Sequence, residues 1–581
     1  HKGVVGFISN YSWLDGLAFP GKRERYLEGF DKISIDSLNG DKYKTGKLTP
    51  EGKPDPSIFS TEWNREGIQV GTAIALMVRK EKHQAANGVQ FRNLWGKEKR
   101  NELLANADGQ RETAYTNSQP ILELGLPFTL GLANAGYTKW PLLPDLFPVS
   151  FPGVQSSRDD LVVDIDRERL VHRMEQYFDP EVSNEDIRLL APTALRNTAR
   201  FEAIKVRNYL ANRGFLKQNI LQHMYRPFDL RWLYWEPETK LLDEKRAEYF
   251  AHVFDGNVWL AAVQQNRKSF DPPFVTARLG SRHLVERGAN LFPLWLLPKG
   301  EAHLFQKDHV AEVGHRQLNL SEAAIVYLKT VGQVEAAGEL FYHLIAVLHA
   351  PQYATENAGA LRQNWPRIPL PSSKEPLLHS AGLGRRVAAL LDTESGIAGV
   401  TEGRIDKPLD TIGVISRFSG GQLQTEDDEG KGKLSELRIN VGWGHGGKGG
   451  ITMPGKGKLI ERDYTTEERK AIEEGAKRHE LSTEKVFGHL GEKSCDVYLN
   501  DVAYWRNSPT RVWDYTIGGY QVIKKWLSYR EHKLLGRPLT MDEAHEVMNI
   551  ARRIASILLL EPSLDANYQA IKTARYPWPV D

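Results

Sequence analysis

The segment Gly442-Trp443-Gly444-His445-Gly446-Gly447-Lys448-Gly449 comes within one residue of the phosphate-binding pattern G-x-x-x-x-G-K-[ST]. Glycine stands where the pattern needs the hydroxyl that holds a metal ion, and Gly450 to Pro454 cannot begin the helix that must follow. The sequence therefore predicts a glycine-rich connection between strands, not a nucleotide loop. A second chemistry stays open for the same stretch. Arg438, Lys448, Lys456 and Lys458 lie close together with no acidic residue between 437 and 458. Backbone N–H groups unshielded by side chains, next to lysines, suit the phosphates of DNA. These four cations are the candidate DNA-binding residues.

Asp271-Pro272-Pro273-Phe274 has the order of a loop that accepts hydrogen bonds from a target amine while its aromatic ring stacks on the base. Such a loop follows a buried apolar strand. Here the preceding Asn266-Arg267-Lys268-Ser269-Phe270 is mostly polar, so a structural turn is expected. None of the 17 histidines sits in an H-E-x-x-H or His-x-Glu pattern with cysteine partners, and no metal site is assigned. His343 and His349 fall on a helix as core or surface residues. Cys495, the sole cysteine, reads as a small buried hydrophobe and not a nucleophile. No catalytic residue is assigned.

The elements that must carry these stretches follow from composition and periodicity. A chain of 581 residues needs roughly three or four domains. With 41% hydrophobic and 26% charged residues it is not intrinsically disordered. Apolar runs such as Ile557 to Leu560 fall far below the roughly 18 residues of a membrane span. One cysteine excludes a disulfide framework and makes a reducing, cytoplasmic setting the default. Lys+Arg at 76 against Asp+Glu at 74 confines any nucleic-acid surface to a local patch.

Val4 to Ile8 reads as a strand, Lys22 to Gly29 as a short charged helix with Gly29 as its C-cap, and Ile33 to Leu38 as a second strand. Residues 39–56 read as a surface loop, and Gly71 to Val78 as a strand buried on both faces. Residues 157–215 are expected to be helical, with Phe201, Ile204, Val206, Tyr209 and Leu210 forming one apolar stripe. Residues 221–300 read as sheet, 320–350 as two helices, and 411–530 as short strands with glycine turns. Thr540 and Glu543 form a capping box ahead of a long helical pattern. The chain opens directly on a strand, with no signal peptide and no upstream pairing partner, so a fragment is expected.

Gly3-Val4-Val5-Gly6-Phe7-Ile8-Ser9-Asn10, followed by Lys22-Arg23-Glu24-Arg25-Tyr26-Leu27, resembles the stretch after the catalytic Pro-Pro loop of adenine-N6 DNA methyltransferases. Ser57-Ile58-Phe59 and Gly67 to Leu76 fill the end of that pattern. By position, Phe59 is similar to the family aromatic that packs against the flipped adenine, although a core phenylalanine fits the residue type equally well. Farther along come Phe151 to Asp159, Tyr225-Arg226-Pro227-Phe228-Asp229, Ala346 to Pro351 and Pro366-Arg367-Ile368-Pro369. Ile451 to Lys458, Asp496 to Asn500 and Ile517 to Trp526 follow in order. Together they resemble the carboxyl-terminal region of type ISP restriction–modification enzymes, single chains that combine nuclease, motor, methyltransferase and target recognition.

The resemblance implies an α/β fold. Residues 1–155 would hold the carboxyl-terminal half of a doubly wound methyltransferase sheet and a connecting segment. A large mixed α+β target recognition region would follow in two lobes, 156–400 and 401–581, ending in a helix. The implied function is part of a site-specific adenine-N6 DNA methyltransferase that extrudes its target base. S-adenosylmethionine would be bound mainly by upstream residues. Double-stranded DNA is the expected partner, together with methyltransferase, motor and nuclease domains of the same chain and without a membrane. No cofactor, nuclease or helicase motif occurs in these 581 residues, so this piece alone is expected to be inactive. The alternative is a stand-alone, non-catalytic DNA-specificity module that pairs with a separate methyltransferase chain.

Overall fold

The computed structural model describes residues 2–109, 113–130, 133, 134, 136–266, 270–286, 288–298, 316–332, 337–420, 423, 436–447, 451–478 and 482–579. The structure is mixed α/β with several small sheets. It divides into two compact units: His1–Lys139 with Gln264–Phe270 and Thr355–Arg367, and Trp140–Val263 with Asp271–Ala354 and Ile368–Asp581.

In the first unit, alternating apolar residues build a five-stranded sheet. β1 (Gly3–Asn10), β2 (Lys32–Asn39), β3 (Thr72–Arg79), β4 (Val89–Asn93) and β5 (Thr116–Ser118) stand in the order β1-β3-β2-β4-β5. β3 runs antiparallel to both β1 and β2, so those two strands point the same way, and β4 is parallel to β2. The pairs Ile33↔Met77 and Ile35↔Ala75 put alternate apolar side chains on one face. That face packs with Val89 and Phe91 against Trp13, Leu14 and Phe128.

Two local expectations fail here. β3 is buried on one face only: Ala73, Ala75 and Met77 are covered, whereas Leu76 is 47% exposed. The cover comes from Trp13 and from Tyr26 and Leu27 of the helix α1 (Pro20–Gly29), all gathered on the Ala75 side. Gly29 does not cap α1 either. Phe30 takes the cap in extended backbone, its N–H bonded to the Tyr26 carbonyl, so no left-handed residue is needed.

Among its described residues the second unit holds three four-stranded sheets. Phe274–Thr276, Trp259–Ala262, Asn290–Pro293 and Phe151–Pro152 form an antiparallel one. In another, β6 (Ile220–Arg226) and β7 (Asp229–Tyr234) make a hairpin flanked by Leu279–Gly280 and Val163–Asp164. The third sets Val414–Arg417 beside β10 (Ala503–Pro509), β9 (Ser494–Tyr498) and β8 (Leu459–Arg462).

Between residues 157 and 215 the helices are broken by the Val163–Asp164 strand and by irregular segments, and only part of the expected apolar stripe, Phe201 and Leu210, is buried at α2 (Ala203–Arg213). Ile204 and Tyr209 are exposed, and Ala203, Arg207 and Leu210 are buried. Arg207 tolerates burial because its guanidinium donates to the carbonyls of Tyr177, Asp179 and Val182 and to Asn184 Oδ1. α3 (Ala337–Leu348) and α4 (Lys374–Leu391) approach so closely that a Cβ on Gly384 would lie 1.8 Å from the Tyr342 carbonyl oxygen. A helix at Val522–Tyr529 (α5) precedes the long terminal α6 (Met541–Thr573). α6 opens on the expected box: the Thr540 hydroxyl accepts from the Glu543 N–H, and the Glu543 carboxylate accepts from the Thr540 N–H at 2.9 Å. Among the described residues no helix is long and apolar enough to cross a membrane.

Candidate functional site

Within the glycine-rich segment Gly444–Gly446 is itself a strand and no helix start, and Lys448 and Gly449 lie outside the described residues. Gly444–Gly446 pairs with Thr452–Pro454 in a small hairpin pressed onto α5, where a Cβ on Gly444 would meet the Ser528 carbonyl oxygen at 1.8 Å. Trp443 is fully buried, and its indole N–H donates to the Tyr498 carbonyl at 2.7 Å. The N–H groups of Gly442 and Trp443 donate to the Glu531 carboxylate at 3.2 and 2.8 Å. A buried acid therefore occupies the backbone donors that a phosphate would need at this point.

Of the four candidate cations, Lys448 lies outside the described residues. Lys456 is exposed. Arg438 is partly buried, with its carbonyl accepting from Asn500 Nδ2 at 2.9 Å. Lys458 pairs with Asp501 at 2.9 Å and stands 4.6 Å over the Tyr498 ring, which stacks on Tyr504. The single turn carrying Asn500 and Asp501 thus ties down both the Arg438 backbone and the Lys458 ammonium.

Phe59, in the first unit, is 43% exposed and does not fill that unit's core. Its N–H and that of Ile68 both donate to the Ser57 hydroxyl at 3.3 Å, which ties the two ends of this loop together. The expected turn at Asp271 to Phe274 is instead irregular backbone running into the strand Phe274–Thr276: the Asp271 carboxylate accepts from the Thr516 hydroxyl and the Gly519 N–H, each at 2.7 Å, and Phe274 is buried. His343 is a core residue bonded to Ser380 and the Pro369 carbonyl, and His349 is bonded to the Pro273 carbonyl. Cys495 is buried, which pushes its thiol up to about 12. Among the described residues no His, Cys, Asp and Glu side chains gather as a metal ion would require.

A second cluster escapes sequence reasoning. Tyr225 donates its hydroxyl to Asp159 at 2.6 Å, and its ring lies 4.2 Å from the Arg226 guanidinium and 3.9 Å from that of Arg231. Arg231 also covers Tyr529 at 4.1 Å, and the Lys525 ammonium stands 4.6 Å from Tyr529 and 5.8 Å from Tyr520. Beneath them Asp229 accepts from Arg231 and Arg530. Burial alone would raise the Asp229 carboxyl; the two guanidinium groups outweigh it and hold the carboxyl below its usual range. Three stretches far apart in the sequence, Phe151 to Asp159, Tyr225 to Asp229 and Ile517 to Trp526, thereby meet. The only signal was the mixing of Tyr with Arg and Lys in two of them, and no spacing says that they touch.

A family model described as the Type ISP C-terminal specificity domain matches residues 145–556. No curated protein matches the chain. Among solved structures, a nuclease-deletion mutant of the type ISP restriction–modification enzyme LlaGI in complex with a DNA substrate mimic is similar at a TM-score of 0.53 and 15% identity, covering 98% of this chain and 46% of that one. The DrdV–DNA complex gives 0.55 and 16%, covering 97% and 50%. The ATP-dependent type ISP restriction–modification enzyme LlaBIII bound to DNA gives 0.55 and 16%, covering 98% and 33%. The chain thus spans half or less of the length of each solved structure.

Proposed function

The chain belongs to the type ISP C-terminal specificity domain family, and from that premise we propose that it selects the duplex DNA sequence on which a restriction–modification enzyme acts. The likeness of nearly the whole chain to three proteins solved with DNA or a DNA mimic carries this reading. Residues 156–400 and 401–581 would form the two recognition lobes, with Arg438, Lys448, Lys456 and Lys458 as phosphate contacts that fix register.

The longer enzyme would be an adenine-N6 methyltransferase that extrudes one adenine. β1 and β2 flanking the reversed β3, with Val4, Val5 and Ile8 uncovered on the edge strand, support residues 1–155 as the end of a methyltransferase sheet. The exposed ring of Phe59 supports stacking on the extruded base. S-adenosylmethionine does not fit the acids in and after β2. Asp36 is paired with Arg92, Asp55 with Lys99, and Asp41 accepts from the N–H groups of Tyr43, Lys44 and Gly71. Those groups are already bonded, so other residues of the longer enzyme would hold the methyl donor.

Selection from a randomised duplex pool tests the specificity role. Enrichment of one sequence, with binding that weakens as salt rises, is expected. Equal affinity for every duplex rejects it.

A further inference from the structure

Arg226 has a setting that the needs of the fold leave unexplained. It ends β6 immediately before Pro227 and Phe228, and the buried Phe228 holds a left-handed φ of 60°, so the backbone here is fixed at some conformational cost. The guanidinium lies 4.2 Å from the Tyr225 ring and 5.5 Å from the Tyr520 ring. Nη1 donates to the Tyr225 carbonyl at 2.6 Å, while Nε has no partner among the described residues. Its neighbours differ: Arg231 and Arg530 share the Asp229 carboxylate. Arg226 is ion-paired with no carboxylate among the described residues, and Asp159, the acid that acts on it most, accepts the Tyr225 hydroxyl.

Another cation shares one of these rings. Lys525, partly exposed on α5, lies over Tyr520 and Tyr529, again without an ion pair among the described residues. A partly exposed arginine oriented by two rings and without an ion pair among the described residues is preorganised for an anion that offers oxygen acceptors. A compact lysine charge from a second element, approaching the same Tyr520 ring, favours a phosphodiester over a base edge.

We propose that Arg226, together with Lys525, holds a backbone phosphate of duplex DNA and so sets the register in which the specificity domain reads its site. The inference rests on the DNA-specificity reading above. It is tested by the salt dependence of duplex binding to the 581-residue chain and to its Arg226→Gln, Arg226→Lys and Lys525→Gln variants. Each protein is titrated against the enriched sequence and an unrelated duplex, with melting temperatures recorded alongside. Arg226→Gln and Lys525→Gln are each expected to lower the slope of log K against log salt by about 0.9. Both should weaken the two duplexes by the same factor, about tenfold. Arg226→Lys should keep the slope and lose part of the affinity.

A loss confined to the enriched sequence overturns the phosphate assignment in favour of a base contact. Unchanged slope and affinity in the folded variants overturn the site altogether. Should Arg226→Gln unfold, Lys525→Gln decides alone by the same criterion. If the unmodified chain binds no duplex, the specificity reading fails and this inference falls with it; if it binds and the variants match it, only the inference fails.

Discussion

Asp229 and Arg530, 301 residues apart in the chain, form a buried ion pair with Oδ1 and Nη1 3.1 Å from each other. Arg231 takes the other carboxylate oxygen at 2.6 Å, so one acid neutralises cations from a hairpin and from the end of α5. Removing it strands two guanidinium groups inside the second unit. Asp229→Asn is expected to cost about 3–5 kcal/mol in a denaturant titration. Because the folded carboxyl titrates below its unfolded value of about 3.9, its contribution is present above that pH and is lost as pH falls through the lower folded value. The variant should therefore lose less of its remaining stability on acidification below about pH 4 than the unmodified chain.

Gly457 passes over the face of Trp443 with φ at 65°, and a Cβ there would lie 2.0 Å from the ring. Gly457→Ala combines a left-handed backbone with a clash against a buried indole, and is expected to destabilise by roughly 2 kcal/mol or more. Gly446, on the hairpin that precedes it, has nothing within 4 Å of its Cβ position. Gly446→Ala should stay within about 0.5 kcal/mol. Equal melting temperatures for the two variants would show that the Trp443 contact does not hold the hairpin.

Phe59 separates function from stability by its exposure of 43%. In the longer enzyme, Phe59→Ala should remove a stacking contribution on the order of 1–3 kcal/mol and lower methylation far more than it lowers the melting temperature. Phe59→Trp keeps a π-face and should retain most of the activity. A melting temperature that collapses in both variants would assign the ring to packing.

What was legible in the sequence was local. Ile33 and Ile35 alternate along a strand, and Thr540 and Glu543 cap a helix three residues apart; each signal sits within one element. Arg207 defeats the helical periodicity because four hydrogen-bond acceptors, all from residues 177–184, make a charged side chain the better occupant of the inner face. β3 looks doubly buried because Leu76 and Ile74 are apolar, yet the cover that packing supplies lies on one side. The Tyr225 cluster was legible only as Tyr mixed with Arg and Lys, since Asp159, Arg226 and Tyr529 meet only through tertiary structure. The basic residues near 442–458 are visible as composition, but the bond from Trp443 to Glu531 that uses up the backbone donors comes from 88 residues away.

Glu546 gives a pH signature whose sign follows from its surroundings. It lies on α6 beside Asp542, His545, Asn549 and Arg553 in a cavity of about 260 Å³. Burial pushes its carboxyl up to about 7; Asp229 and Glu543 add to the rise, while Arg530 and the Trp526 indole oppose it. The folded value exceeds the unfolded one of about 4.3, so between the two the folded chain holds a proton that the unfolded chain has released. The contribution to stability is complete below about pH 4.3, declines as pH rises, and is gone above about pH 7. Glu546→Gln removes the titration and keeps the shape. Relative to the unmodified chain, its melting temperature is expected to be similar near pH 5 and higher near pH 8. Thermal melts across that range check it, and a difference between the two proteins that does not change with pH would show that this carboxyl titrates like an exposed one.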